Sequence, residues 1–407
     1  MKIAAIHSFL NIKAGAQLAF LNMMMSLRNR GHEIDIYLLG ISGELRKELQ
    51  NYFEITSLNF KEWRFSYMGF FLMLVNRFRA MRQFRRLADE INRGDYDLAF
   101  IDHSDYSPLI LPYLKIPKVY YCYEPPRRYY EPVYSYMPKE QVCTKIYLLN
   151  RVAPFIPDII DKELDRCCVR FADLILCPSD YSREYTWRTY GMFPVTNYLG
   201  VDLEKCKRLS CRRENLVVSV GVLFQSKCHD FTIRSIGLIP KDKRPKLIII
   251  ASRATGGEKE RLLNLAKFTG VDLEIKGYVP DEEFAELHSR AKVVAIAYVM
   301  EPSIEPVALA FETPIVAVRE GGARETIIHN ETGILTSREE KEFAHAIEYL
   351  LDNPDVAEEM GKKGRKWIEK NFTWDKCTEN LEKNLKRVST KQQKVRDNEM
   401  LTAPCDE

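Results

Sequence analysis

Two stretches of the sequence concentrate residues able to handle an anion. The first runs Val220-Gly221-Val222-Leu223-Phe224-Gln225-Ser226-Lys227-Cys228-His229, in which an apolar strand-like run ends at Gly221 and Lys227 follows six residues later. A glycine turn at a strand end, followed by a loop lysine, suits a loop that directs an ammonium at a diphosphate. The second stretch covers residues 298–306 and contains Glu301, Ser303, Ile304 and Glu305. A strand ending near Tyr298 would pass through a short loop into a helix with Pro306 in its first turn, where proline is tolerated. The backbone N–H groups of Ser303 and Ile304, with the positive end of that helix, would then form an anion site. Carboxylates beside it can accept hydrogen bonds from ribose or sugar hydroxyls. Either glutamate can also be read as a helix-start residue favoured by the helix dipole. Glu301 is taken as a site residue, and Glu305 stays open between the two roles.

Three more segments bear polar groups at strand ends. Val119-Tyr120-Tyr121-Cys122-Tyr123-Glu124-Pro125-Pro126-Arg127 reads as a buried strand running into a rigid Pro-Pro turn, which presents Tyr123, Glu124 and Arg127. His103 follows the preceding apolar run and can approach the same place, or serve as a satisfied loop histidine. The first strand-to-helix loop, residues 8–17, ends in Ala14-Gly15-Ala16-Gln17 and lacks the G-x-G-x-x-G spacing of a dinucleotide site.

The elements that would hold these loops alternate. Residues 2–7, 33–39, 96–101, 118–123 and 173–177 read as strands, with a helix over 17–30 closed by Gly31. Near residue 200 the pattern restarts, with strands at 216–220, 246–251, 273–276, 293–297 and 315–318 and helices at 259–268, 281–291 and 341–352. Strands separated by helices imply parallel sheets covered on both faces. The domain reading is therefore 1–202, a linker over 203–214 rich in lysine and arginine, 215–372, a C-terminal helix over 373–388 packing back toward the first domain, and a disordered tail, 389–407.

With 60 basic and 57 acidic residues the formal charge is only +3, which gives no reason to expect a nucleic-acid partner. The ten cysteines form no CxxC pair, and several sit in apolar runs, as reduced cytosolic thiols would. Met1-Lys2-Ile3-Ala4-Ala5-Ile6 begins like a buried strand rather than a signal peptide. Residues 60–93 interleave rings (Phe60, Trp63, Phe65, Tyr67, Phe70, Phe71, Phe78) with Arg64, Arg77, Arg79, Arg82, Arg85 and Arg86. Such a segment can lie on an anionic bilayer, or it can be an ordinary helix with core aromatics and a solvated basic face.

Taken together, the motifs resemble those of the retaining glycosyltransferases of family 4, which have the GT-B fold. Thr313-Pro314-Ile315-Val316-Ala317, Glu320-Gly321-Gly322 and Thr332-Gly333-Ile334-Leu335 match the family's nucleotide-sugar site, as does Gly277-Tyr278-Val279-Pro280-Asp281-Glu282-Glu283 ahead of a helix. Phe171-Ala172-Asp173-Leu174-Ile175 and Gly200-Val201-Asp202 are weaker echoes, and the similarity extends over most of residues 1–375. Lys227 is similar to the family's phosphate-binding lysine, Glu301 to the first of its two glutamates and Gly15 to the second glycine of its first loop. The sequence departs from the pattern at Val222 (usually arginine), Cys228 (usually glycine), Tyr123 (usually histidine) and Ala14 (usually glycine). The segment before Pro314 is two residues shorter, which leaves the second glutamate unmatched. Arg253 and Arg324 are candidates for the missing cation.

The resemblance implies an α/β GT-B fold: two Rossmann-like, doubly wound domains facing a central cleft. It implies a hexosyltransferase-type enzyme that moves a sugar from a nucleoside diphosphate to a hydroxyl of a glycan or lipid-linked acceptor, with retention and without a metal or other cofactor. Glu301 and Lys227 would serve catalysis. Gly15, Gly221, Lys227, Ser303, Ile304 and Glu305 would hold the nucleotide-sugar, and His103, Tyr123, Glu124 and Arg127 would meet acceptor or sugar. The location implied is the cytoplasm, at or near the cytoplasmic face of the membrane. The departures support one rival, a catalytically impaired binding or scaffolding protein of the same fold. An oxidoreductase is disfavoured by the missing glycine fingerprint, and a GT-B epimerase is a lesser alternative.

Overall fold

The computed structural model describes residues 1–11, 15–62, 69–104, 106–130, 155–254, 256–300 and 304–402. The chain divides into two compact units, Met1–Pro178 with Ser182–Asn197 and Cys377–Glu407, and Ser179–Tyr181 with Tyr198–Lys376.

The first unit is built on seven strands: β1 (Lys2–Leu10), β2 (Glu33–Ile41), β3 (Glu54–Ser57), β4 (Leu98–Asp102), β5 (Lys118–Tyr121), β6 (Leu174–Cys177) and β7 (Val195–Thr196). They form one parallel sheet in the order β3-β2-β1-β4-β5-β6-β7. The strands are apolar on both faces because helices cover both. On one side Ala4, Ile6, Leu39, Ala99, Ile101 and Tyr120 join Phe84, Leu87 and Ile91 of the helix Gly69–Arg93 in a single core. The β1–β4 register sets Ile6 against Ile101, so His7 and Asp102 come level where β4 ends.

The second unit repeats the plan with β8 (Glu214–Val220), β9 (Lys246–Ile250), β10 (Leu273–Lys276), β11 (Ala291–Ile296), β12 (Ile315–Val318) and β13 (Gly333–Thr336), in the parallel order β10-β9-β8-β11-β12-β13. In both sheets the chain leaves its first strand to one side and later returns to the other. The loops after β1 and β4, and those after β8 and β11, therefore diverge around a crevice. Ligands of open α/β sheets bind at such switch points.

Three expectations change here. Residues 203–214 are not a free linker, because they are fastened to the second unit. Arg208 reaches Glu312 and Glu358, Arg213 donates to the carbonyls of Glu312 and Ala291, and the Leu209 N–H donates to Ser289 Oγ at 3.0 Å. The basic cluster is thus partly an anchor, which a composition argument cannot distinguish from a solvated hinge.

The C-terminal helix runs Trp374–Thr402, well beyond Val388. Its polar sequence is rich in Lys, Gln and Glu, good helix formers, and Glu382 pairs with Lys386 one turn on. Within the first unit Glu382 also binds Arg30 at 2.7 Å and His32 at 3.4 Å.

The short strands β3 and β13 were not anticipated as strands. Each is four residues long and lies at a sheet edge, where periodicity has little room to show. The cysteines of the described residues are free thiols, with Cys122, Cys168, Cys177 and Cys377 buried.

Candidate nucleotide-sugar and acceptor sites

The second unit brings three loops together at the carboxyl ends of β8, β11 and β12. After β8 the chain turns at Gly221 (φ 155°), where an added Cβ would come within 3.2 Å of Lys227 Cδ. Glycine therefore leaves room for the lysine stem to lie back along the turn. Residues Gln225–Lys227 form a single 3-10 turn that carries the ammonium forward, and Lys227 Nζ sits 4.0 Å from the centroid of the Tyr298 ring, just beyond β11. A ring face attracts a cation through its quadrupole, so the charge is held at the switch point rather than left in solvent. From the other side, Gly322 N donates to the Met300 carbonyl at 2.8 Å. Gly321 (φ 58°) lies so close that a Cβ would fall 2.7 Å from that same oxygen. The Glu320-Gly321-Gly322 motif is thus the floor under residues 299–300, and the loop bearing Glu301 starts from that floor.

Glu301 and Ser303 lie outside the described residues, so their expected roles stay expectations. Ile304 and Glu305 are described, and their geometry differs from the expected one. The Ile304 N–H is already engaged, donating to Glu305 Oε2 at 3.1 Å. Glu305 is only 1% exposed at the start of the helix Glu305–Ala310. The buried carboxylate thus takes up an amide at the helix start. The Ile304 N–H, expected to face an anion, faces this carboxylate.

His229 also proves structural. It is buried, Nε2 donates to the Gly221 carbonyl at 3.2 Å, and Nδ1 lies 3.3 Å from Ser219 Oγ. Burial lowers its pKa, which keeps it neutral. Cys228 stands in the left-handed region at φ 52°, where glycine would fit without strain. The Arg253 carbonyl accepts from Leu223 N at 2.8 Å, which sets the exposed Arg253 beside the lysine loop. Arg324 reaches back to the Gly321 carbonyl at 3.5 Å. A third cation, Arg338, binds Glu320 at 2.6 Å and was not anticipated, since it follows a strand that was not foreseen.

In the first unit Gly15 opens the helix Gly15–Asn29 in the left-handed region. The hydroxyl of Tyr123 donates to the carbonyl of Ala16 at 3.2 Å, so the residue in the family's histidine position braces the first turn of that helix. Glu124 and Arg127 form an ion pair with each other across the Pro-Pro turn. Buried beside them, His7 Nδ1 lies 2.9 Å from Asp102 Oδ2, and the His7 ring stacks on Phe20. Burial raises the Asp102 pKa, and the histidine contact opposes the rise. This pair was missed because its members are 95 residues apart and only the sheet register joins them.

His103 does reach a cavity. Its Nδ1 lies 2.6 Å from the Tyr120 hydroxyl, and desolvation pushes its pKa down to about 4, so the ring is neutral at physiological pH.

The sheet order, the switch-point loops and the lysine held on Tyr298 define an α/β protein with a cation placed at the carboxyl end of its second sheet. Residues 14–205 match the family model described as Glycosyltransferase Family 4, and residues 204–367 match that described as Glycosyl transferases group 1. The chain belongs to this family of glycosyltransferases. A GDP-mannose-dependent alpha-(1-6)-phosphatidylinositol monomannoside mannosyltransferase of Mycobacterium tuberculosis is 26% identical over 228 residues, 50% of this chain and 59% of the relative. A D-inositol 3-phosphate glycosyltransferase of Corynebacterium diphtheriae is 28% identical over 172 residues, 40% of each chain. The matches thus span about half the length of these relatives. Among solved structures, Anabaena HepE in complex with UDP is similar with a TM-score of 0.67 and 16% identity, covering 95% of this chain and 100% of that one. At that identity the likeness concerns the fold, which is GT-B.

Proposed function

We propose that the chain is a glycosyltransferase that moves a sugar from a nucleoside diphosphate to a hydroxyl of a glycan or lipid-linked acceptor, with retention of configuration. The observation that carries this reading is the Lys227 ammonium, laid over Tyr298 at the β8–β11 switch point. In this reading the diphosphate lies against Lys227 and the Ser303 end of the expected 303–304 backbone site, Glu301 takes sugar or ribose hydroxyls, and the first unit presents the acceptor near His103, Tyr123, Glu124 and Arg127. The acceptor oxygen bonds to the anomeric carbon as the bond to the diphosphate oxygen breaks, and the hydroxyl proton passes to the departing diphosphate. Such a front-face step needs no side-chain base, which suits a chain with Tyr123 where the family has histidine. Lys227 would stabilise the charge that develops on the leaving oxygens, the kind of interaction that contributes most to rate.

The mannosyltransferase named above acts, by its name, on a phosphatidylinositol monomannoside, which supports an acceptor at a membrane surface. Among the described residues no helix is long and apolar enough to cross a membrane. The helix Gly69–Arg93 offers a peripheral alternative, since Phe78 is 61% exposed and Arg82 and Arg85 continue its stripe, with Arg86 alongside. Other rings and cations of residues 60–93 turn inward: Phe60 is buried, Arg77 binds Asp161 at 2.8 Å, and Arg79 lies over the Phe60 ring. Trp63, Arg64, Phe65 and Tyr67 lie outside the described residues, as do the side chains of Phe70 and Phe71. In this reading the protein works in the cytoplasm, at the inner membrane face.

A second reading, a binding protein with impaired catalysis, is favoured by Val222 and Tyr123 and by an Ile304 amide already occupied by Glu305. Thermal shift with UDP-, GDP- and ADP-sugars, followed by product NMR, separates the two. Donor-dependent stabilisation with slow sugar release, lost in Lys227→Ala, supports the enzyme. Stabilisation without turnover supports the binding protein, and an inverted anomeric centre in the product would overturn the retaining mechanism.

A further inference from the structure

The carboxyl ends of β1 and β4 carry a buried pair that the proposed reaction leaves unused. His7 Nδ1 lies 2.9 Å from Asp102 Oδ2, and both side chains are closed off from solvent. The Tyr123 hydroxyl, from just beyond β5, faces the same carboxyl and donates to the Ala16 carbonyl at 3.2 Å. We propose that His7 and Asp102 are positioning residues of sugar transfer. The pair fixes the Tyr123 hydroxyl inside the protein, and so sets the tyrosine ring and the first turn of the helix Gly15–Asn29 where substrate is met. The proposal rests on the glycosyltransferase reading and adds two residues to it.

Placement is the first argument. Along the same face of β1 and β4, Ile3 stands level with Leu98 and Ala5 with Phe100, both apolar pairs. The next level changes to histidine and aspartate, at the end of the sheet where open α/β folds bind their ligands. The order β2-β1-β4 makes this the switch point of the first sheet.

The second argument is that the pair is a poor way to gain stability. Exchanging both partners of a buried polar or ionic pair for apolar groups of similar size is often neutral or stabilising. Here Asp102 Oδ1 is also buried with no hydrogen bond among the described residues. Burial raises the Asp102 pKa, and the contacts with His7 and then Tyr123 oppose the rise. An orphaned buried atom of this kind in a native structure calls for a reason, and catalysis is one of the usual reasons.

Rigidity is the third. Ser8 N donates to Ser104 Oγ at 2.9 Å, the two serine hydroxyls lie 2.9 Å apart, and Ser107 Oγ donates to the Asp102 carbonyl at 2.5 Å. The ends of β1 and β4 are thus clamped on both sides of the pair, while the His7 ring stacks on Phe20 at 5.2 Å. A first contact is only as precise as the groups that orient it. Burial, with Asp102 beside it, pushes the Tyr123 pKa well up, so the side chain stays a neutral phenol and does not serve as a base. Its half-buried ring remains as the surface for a ligand, and ring faces pack well against apolar C–H groups.

Release of nucleoside diphosphate from UDP-glucose, UDP-N-acetylglucosamine and GDP-mannose by the full chain gives kcat and donor KM without a known acceptor. Two variants are compared. His7→Leu/Asp102→Leu exchanges the pair for apolar chains, and Asp102→Asn keeps the volume of the carboxyl. Each should lower kcat about 30- to 100-fold with donor KM changed less than about threefold, and the leucine pair should keep or raise Tm. In a Tyr123→Phe background, Asp102→Asn should lower kcat less than about threefold further, because the pair acts through that hydroxyl. Unchanged kcat in both variants, or losses that multiply in the Tyr123→Phe background, makes the pair structural and overturns the proposal. Should the leucine pair fail to fold, the asparagine cycle decides alone. Calorimetry with UDP and GDP reads the parent reading separately. Absence of nucleotide binding sinks that reading, and binding without turnover of any donor supports the binding protein and removes the proposal with it. Binding and turnover that ignore the pair sink only the pair.

Discussion

Replacing Lys227 by methionine isolates the charge at the proposed donor site. The methionine chain is close in length to the lysine stem, so it can still lie along Gly221, where the stem now sits 3.2 Å from a built Cβ. What disappears is an ammonium 4.0 Å from the Tyr298 ring centroid. That contact contributes about 0.5–1 kcal/mol, so its loss by itself lowers Tm by ~1–4 °C. In the nucleotide complex the same ammonium would make a charge-assisted hydrogen bond to a phosphate oxygen, contributing roughly 1.5–3 kcal/mol, or about 10- to 150-fold in Kd. Titration calorimetry with UDP and GDP at low and high salt measures both parts. Wild-type affinity should weaken with salt, and the variant should lose affinity together with most of that dependence, because the screened partner is gone. Saturable nucleotide binding that changes less than threefold in Lys227→Met would show that the lysine rests on tyrosine for packing alone, and the donor-site reasoning would fail.

Gly321→Ala should destabilise the second unit by about 2–4 kcal/mol, because it combines a left-handed backbone with a Cβ placed 2.7 Å from the Met300 oxygen. An unchanged Tm would contradict the described floor of the loop. His288 is fully buried between Phe284 and Phe311, and desolvation lowers its pKa to about 4. Its unfolded value is near 6.5, so below that pH the unfolded chain takes up a proton that the folded chain refuses. Stability is therefore complete above about pH 6.5 and declines by about 3 kcal/mol as pH falls toward 4. Denaturation of His288→Leu across this range should show a shallower acid limb, and an identical limb would rule His288 out as a source. Removing Arg82, Arg85 and Arg86 together, all exposed on one helix, should cut sedimentation with anionic vesicles several-fold at low salt. Equal sedimentation would leave the membrane proposal without support.

Legibility in the sequence followed physical scale. Strands such as β1, β9 and β12 are dominated by apolar runs, and both halves of the sheet plan could be read from such runs. Lys227 could be found because its distance from Gly221 is a local, six-residue relation. Tyr298 could not, since an aromatic at a strand end looks like core until its ring is seen under an ammonium. The engaged amide of Ile304 was hidden for another reason: a site role and a helix-start role were both open for Glu305, and a bond between adjacent residues leaves no spacing signal. The His103 cavity depends on helices contributed from residues far apart in sequence, such as Arg77 and Asp165, and no spacing rule connects those.

Apart from Ser179–Tyr181, the second unit is the single segment Tyr198–Lys376, inserted between Asn197 and Cys377 of a discontinuous host. Synthesis from the N-terminus then imposes an order. The inserted unit is complete while the host still lacks the strand of chain that carries Glu382 to Arg30 and His32. Ribosome-arrested chains ending near residue 376, plus enough to span the exit tunnel, should therefore protect the later unit from protease before the earlier one. For the same reason, trimming the C-terminus injures the half of the molecule that was made first.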